Sequence, residues 1–217
     1  MLEGRKAHIV TDRVAPRLDE EPRSQREIAE LVLARAERLG VIKYGDFILA
    51  SGKHSNYYFD GRLLTLDPCG AGLVSEAIFR TLLETGVEAA GGPTVASVPI
   101  AGALALRSGQ AGTPIKGFFV RPVAKDHGTG RQIEGPVQRG MRVAVLDDTI
   151  STGTSLLDAV TTVELHGCEV VAVVVVLDRH QGGSDEIRRR GYDFTALLEA
   201  DDQGKIRVTD QQAPRRD

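Results

Sequence analysis

The sequence predicts an α/β fold: a mostly parallel central sheet flanked by helices, with a small N-terminal helix-plus-hairpin hood. Three observations carry that expectation. From about residue 67 onward, strand-like apolar runs alternate with helix-like segments, the rhythm of βαβ units. The run Val170–Leu177 is apolar at every position, as a strand covered on both faces must be. Before residue 67, two short strand-like runs are joined by a glycine-containing turn, the pattern of a hairpin.

The elements follow in order. Ser24 and Glu27 have the spacing of a capping box, so a helix starts at Ser24. Ile28, Leu31, Val32 and Leu39 share its apolar face, and Gly40 supplies a left-handed stop. The hairpin strands are Phe47–Ala50 and Tyr57–Asp60, linked by Ser51-Gly52-Lys53-His54-Ser55. Asp67 and Pro68 open a helix as N-cap and first-turn proline. Val74, Ala77, Ile78 and Leu82 form its apolar face, and Gly86 ends it. A short strand near Ala89–Gly91, a helix over Ile100–Arg107, and strands at Ile115–Arg121 and Arg142–Leu146 come next. Thr154–Leu165 is a helix closed by Gly167, and Val170–Leu177 is the buried strand. A short helix near Asp185–Arg190 and a strand near Phe194–Leu198 complete the series. Residues 1–23 are charged, interrupted by Pro16 and Pro22, and read as a mobile arm. Residues 24–200 form the folded domain, and 201–217 a tail.

Composition narrows the function. Hydrophobic residues make up 41% and charged residues 26% of 217 residues, ordinary values for a soluble protein. A net charge of -3 gives no global electrostatic case for nucleic acid or membrane as a partner. Cys69 and Cys168, far apart, make neither a metal motif nor a disulfide framework. The N-terminus lacks the long apolar run of a signal peptide or membrane span, so a cytoplasmic setting is expected. The 24 glycines imply tight turns, or loops where backbone approaches a ligand.

The most informative stretch is Val143-Ala144-Val145-Leu146-Asp147-Asp148-Thr149-Ile150-Ser151-Thr152-Gly153-Thr154-Ser155. An apolar strand runs into two carboxylates, then a loop of Ser, Thr and Gly, then a helix. Ligands of open α/β sheets bind at the carboxyl ends of strands. Free N–H groups at a helix start, with hydroxyls around them, cradle phosphate. Gly153 lets the backbone come close. The two acids would repel phosphate, so they suit another partner: ribose hydroxyls, or a magnesium ion held through water. A lone Asp-Asp would need only to cap the next helix. The whole string describes a site for a phosphorylated ribose. It is not a Walker A loop, for it lacks the lysine and the spacing.

This string resembles the phosphoribosyl pyrophosphate (PRPP) signature of type I phosphoribosyltransferases. The resemblance implies that fold, and implies roles: Asp147 and Asp148 on the ribose, Ser151, Thr152, Gly153, Thr154 and Ser155 around its 5-phosphate, and Thr149 and Ile150 as further PRPP contacts. It also implies Mg2+, bound mainly through PRPP and meeting Asp147 and Asp148 through water.

A basic loop lies between two strands. Residues 116–142 carry six Lys or Arg against Asp126 and Glu134. The length and glycines of its centre, Ala124-Lys125-Asp126-His127-Gly128-Thr129-Gly130, suggest a lid. Cations on a lid can stabilise the charge of a departing pyrophosphate. The run Phe118-Phe119-Val120-Arg121, with Lys125-Asp126-His127-Gly128 and Ile133-Glu134-Gly135, resembles the catalytic loop of orotate phosphoribosyltransferases. There the loop crosses a homodimer interface into the partner's site. Arg121, Lys125 and His127 match it as PRPP contacts, with Lys125 and His127, beside Asp147 and Asp148, as catalytic residues. Pro122 stands where the family usually has a second lysine.

Two further stretches concern the base. The run Phe47 to Asp60 is similar to the N-terminal hairpin of the orotate enzymes. Tyr58 and Phe59 match the aromatic pair that packs on the planar base there. In Leu177-Asp178-Arg179-His180-Gln181-Gly182-Gly183, Arg179 follows the buried strand at the same end of the sheet as Asp148. A guanidinium pairs bidentately with a carboxylate, and orotate carries one that adenine, guanine and uracil lack. The resemblance assigns Ser151 and Arg179 to orotate. Ala50 and Ala96 stand where some members have lysine. The implied reaction is transfer of phosphoribose from PRPP to orotate in pyrimidine (UMP) synthesis. Two rivals share the motif: a phosphoribosyltransferase for another base, and a non-catalytic PRPP-binding regulator.

Overall fold

The computed structural model describes residues 24–48, 54–122 and 132–210. Helix α1 (Gln25–Arg38) starts as its capping box requires: Glu27 N–H donates to Ser24 Oγ, and Ser24 N–H to the Glu27 carboxylate. The hood's hairpin follows, with β1 (Ile42–Ile48) antiparallel to β2 (His54–Phe59). β1 begins earlier than the apolar pattern indicated, because its first half is exposed and carries no periodic signal. A one-turn helix that the sequence reading missed, α2 (Gly61–Thr65), joins the hood to α3 (Pro68–Leu82). Asp67 caps α3 by accepting from Gly70 N–H at 2.8 Å, and Arg35 of α1 binds the same carboxylate through two nitrogens at 2.8 Å each. The expected stop at Gly86 is corrected: α3 ends at Leu82, and Gly86 sits in the turn beyond.

The main domain alternates β3 (Ala89–Pro93), α4 (Ser97–Gln110), β4 (Lys116–Val120), β5 (Ile133–Glu134), β6 (Arg142–Ile150), α5 (Thr154–Leu165), β7 (Glu169–Asp178), α6 (Gly183–Arg189), β8 (Phe194–Ala200) and β9 (Ile206–Val208). The sheet order is β5-β4-β3-β6-β7-β8-β9. β4, β3, β6, β7 and β8 are parallel, and β5 and β9 close the edges antiparallel. Neither edge strand has a sequence signature, since β5 has two residues and β9 three. β9 carries the sheet past residue 200, where the sequence reading ended the domain.

Two cores flank the sheet. One face packs Ala144, Leu146, Val174 and Val176 under α1, α3 and α4; the other packs Val143, Val145, Val173 and Val175 under α5 and α6. Val173 to Leu177 are fully buried, which is why β7 shows no apolar–polar alternation.

The connectivity fixes where a ligand can sit. After β3 the chain moves outward to β4, then returns across to β6 and proceeds the other way, so the strand order reverses between β3 and β6. At such a switch point the two following loops diverge and leave a crevice. Pairing of β3 with β6 stops at Gly91↔Val145, whereas β6 and β7 stay paired to Ile150↔Asp178.

Candidate active site

The acid pair lies within this crevice. β6 was expected to end at Leu146, but the strand runs through both acids to Ile150, because β7 continues to pair with it. Asp147 is 7% exposed, and Asp148 lies under α2, where a Cβ on Gly61 would collide with its carboxylate. Asp148 N–H donates to Asp147 Oδ1 at 2.9 Å, and Thr149 Oγ1 donates to Asp148 Oδ1 at 3.3 Å. Among the described residues neither acid has an ion pair. Burial, and then the charge of Asp148, hold the Asp147 carboxyl well above its ordinary range. Burial also raises Asp148, with Thr149 and the Arg62 guanidinium pulling the other way.

The loop expected to hold phosphate follows. Ser151, Thr152 and Gly153 lead into α5, and no side chain caps its start, so its first N–H groups remain for a ligand. Gly153 adopts φ +80°, a left-handed turn that lets Leu157 N–H reach its carbonyl at 2.8 Å. Thr149 to Ser155, both acids, Pro93, Thr94 and Ala96 surround one cavity of about 500 Å³. The residues assigned to PRPP from 147 to 155 are thus brought together.

Gly183 was not singled out from the sequence. Its N–H donates to Ser151 O at 2.9 Å, and an added Cβ would lie 2.6 Å from that carbonyl and 2.7 Å from Gly153 N. Both neighbours are backbone of the phosphate loop. Gly183→Ala is therefore expected to raise the KM for PRPP about tenfold and to lower the melting temperature, because backbone on both sides must shift. An unchanged KM would show that the loop tolerates the shift.

The base-binding candidates are more dispersed. Strand alternation sends Tyr58 and Phe59 to opposite sides of β2. Tyr58 is 37% exposed with its ring 5.9 Å from Phe47, whereas Phe59 is buried in the core with Leu64. The two rings therefore do not share a face of the hairpin. Arg179 N–H donates to Ile150 O at 3.0 Å, which anchors it beside the phosphate loop. Its side chain turns to the hood, with Nη2 3.1 Å from Ser55 Oγ and the guanidinium 4.6 Å from the centre of the Tyr57 ring. A second cavity, of about 830 Å³, opens there between the hairpin and the β8–β9 turn.

Arg121 stands at the end of β4, 3.9 Å from Glu134, with its N–H bonded to Gln132 O. Lys125, His127 and Ala50 lie outside the described residues, as do the arm 1–23 and residues 211–217. No group of three or more His, Cys, Asp or Glu side chains able to hold a metal occurs among the described residues. No described helix is long and apolar enough to cross a membrane.

Comparison with known proteins agrees with this fold. A model of the phosphoribosyl transferase domain matches residues 91–206. An orotate phosphoribosyltransferase of Aquifex aeolicus is 41% identical over 169 residues, 76% of this chain and 92% of the relative. One from Rhodopirellula baltica is 38% identical over 188 residues, 83% and 96% of the two chains. The crystal structure of the Mycobacterium tuberculosis orotate phosphoribosyltransferase with Fe(III) dicitrate has a TM-score of 0.68 at 35% identity, covering 81% of this chain and 95% of that one. The structure of that enzyme in complex with PRPP has a TM-score of 0.64 at 32% identity, covering 83% and 91%. The chain belongs to the phosphoribosyltransferase family and, within it, to the orotate phosphoribosyltransferases of pyrimidine biosynthesis.

Proposed function

We propose that the protein joins orotate to the phosphoribosyl group of PRPP, giving orotidine 5′-monophosphate and pyrophosphate, as a cytoplasmic homodimer. The observation that carries this is the pairing, in one crevice, of two desolvated acids with an uncapped helix start. The N–H groups and hydroxyls of residues 151–155 take the 5-phosphate. Asp147 and Asp148 accept hydrogen bonds from the ribose hydroxyls and favour the positive charge that develops on the sugar as its C1–O bond breaks. Arg179 and Ser151 bind the carboxylated base. Tyr58 covers its ring, while Phe59 supports the hairpin from the core. Arg121, Lys125 and His127 gather on the departing pyrophosphate, with the loop of each subunit serving its partner's site. Magnesium on the pyrophosphate oxygens would neutralise leaving-group charge, with Asp147 and Asp148 meeting it through water. No protein nucleophile is required.

The test is an absorbance assay with orotate, PRPP and magnesium, with uracil and adenine as controls. Consumption of orotate alone is expected, despite Ala96 in the cavity wall and Pro122 at the loop's root. Consumption of another base would reassign the substrate. Folded protein that binds PRPP and consumes no base would support the regulatory reading.

A further inference from the structure

Arg179 is held before any ligand arrives. The Ser55 hydroxyl donates to Tyr57 O at 2.6 Å and accepts from Arg179 Nη2 at 3.1 Å and from Tyr57 N–H at 3.4 Å, which ties the guanidinium to the hairpin backbone. The Tyr57 ring lies under that guanidinium at 4.6 Å and is 4% exposed. Tyr57 itself has little freedom. Gly204, at φ +77°, packs so closely that an added Cβ would stand 2.8 Å from Tyr57 Cδ1, and Asn56 Nδ2 donates to the neighbouring Gln203 carbonyl. The β8–β9 turn therefore braces the hairpin, and the hairpin braces the arginine. The bracing leaves the fork incompletely satisfied: Arg179 Nε is buried without a hydrogen-bond partner among the described residues. A buried unpaired donor is costly, and a carboxylate is the acceptor whose two oxygens match a guanidinium edge.

We propose that Ser55 and Tyr57 are positioning residues that fix the guanidinium plane of Arg179 for the carboxylate of the base, and so set selectivity for a carboxylated pyrimidine. This rests on the assignment of Arg179 to that carboxylate. Neither residue touches a reacting atom. A flexible arginine would lose rotamer freedom on binding; one already held on a ring and a hydroxyl loses less.

The experiment is steady-state kinetics on Ser55→Ala, Ser55→Thr, Tyr57→Leu, Arg179→Ala and the double variant Ser55→Ala/Arg179→Ala, with melting temperatures alongside. Ser55→Ala is expected to raise the orotate KM about tenfold, with kcat and the PRPP KM changed less than about twofold. Ser55→Thr, which keeps the hydroxyl, restores it. Tyr57→Leu removes the ring and raises the orotate KM likewise. The double variant is no worse than Arg179→Ala, because the clamp acts only through the arginine. If Arg179→Ala raises the orotate KM and Ser55→Ala does not, the clamp is overturned. Additive effects in the double variant, or equal loss for both substrates, overturn it too. If Arg179→Ala leaves the orotate KM unchanged, the assignment of the arginine fails instead.

Discussion

Replacing Asp147 with asparagine is expected to raise the melting temperature of the unliganded protein and to lower kcat/KM about ten- to a hundredfold. The two effects have one cause. Asp147 is buried beside a second acid, with no cation paired to either among the described residues, and its carboxyl is held well above the ordinary range by burial first and by Asp148 second. An acid whose folded pKa is raised favours folding below the ordinary carboxylate range, near pH 4, and that contribution is lost as pH rises through the raised value. At neutral pH, where the unfolded chain ionises this acid freely, its burial therefore works against the fold. Asparagine keeps an acceptor for the Asp148 N–H, which now bonds Asp147 Oδ1, and removes the charge. A gain of about 1–2 kcal/mol is expected, or about 2–8 °C at this chain length.

The pH dependence separates this cause from better packing. Melting curves between about pH 5 and about pH 8 should show the gap between variant and wild type widening as pH rises. PRPP with magnesium should narrow it, because ligand binding stabilises wild type more than a variant that holds the ribose poorly. A gap independent of pH would mean that the carboxylate is not destabilised by burial, and the acid pair would lose its account as a site strained for its ligand.

The parallel rhythm, the capping box at Ser24 and the buried valines of β7 were legible because each leaves a local mark: a period, a cap, an unbroken apolar run. So was the loop of residues 151–155, whose small and hydroxylated residues stand together in sequence. The acids' place inside β6 was not, since polarity suggests a loop and only pairing with β7 keeps the strand extended to Ile150. Gly183 and Ser55 were invisible for a different reason. Their partners, Ser151 and Arg179, are distant in sequence, and the close approach exists only in three dimensions. The contacts of Gln203 and Gly204 with Asn56 and Tyr57 were hidden in the same way, since no pattern within residues 201–217 announces them.

Alanine at Lys125 is expected to cut kcat about a hundred- to a thousandfold while leaving the orotate KM within about threefold, the outcome that follows if the cation acts on charge appearing only as pyrophosphate departs. Lys125 itself lies outside the described residues, but the roots of its loop are defined. Thr94 N–H donates to Val120 O at 3.0 Å, Arg121 N–H donates to Gln132 O at 2.8 Å, and Thr94 lines the phosphate cavity. Both roots thus stand at the rim of the crevice that holds the acid pair. Mixing the Lys125→Ala and Asp147→Asn proteins decides whose site the loop serves. If loops are exchanged across a twofold dimer, one site of each mixed dimer combines an intact acid pair with an intact lysine. Random exchange at equal amounts then restores roughly a quarter of wild-type activity, well above either parent. If each loop serves its own site, both sites of a mixed dimer stay impaired and mixing restores nothing. Unchanged turnover in Lys125→Ala alone would remove the lysine from the mechanism and leave the charge of pyrophosphate to magnesium and Arg121.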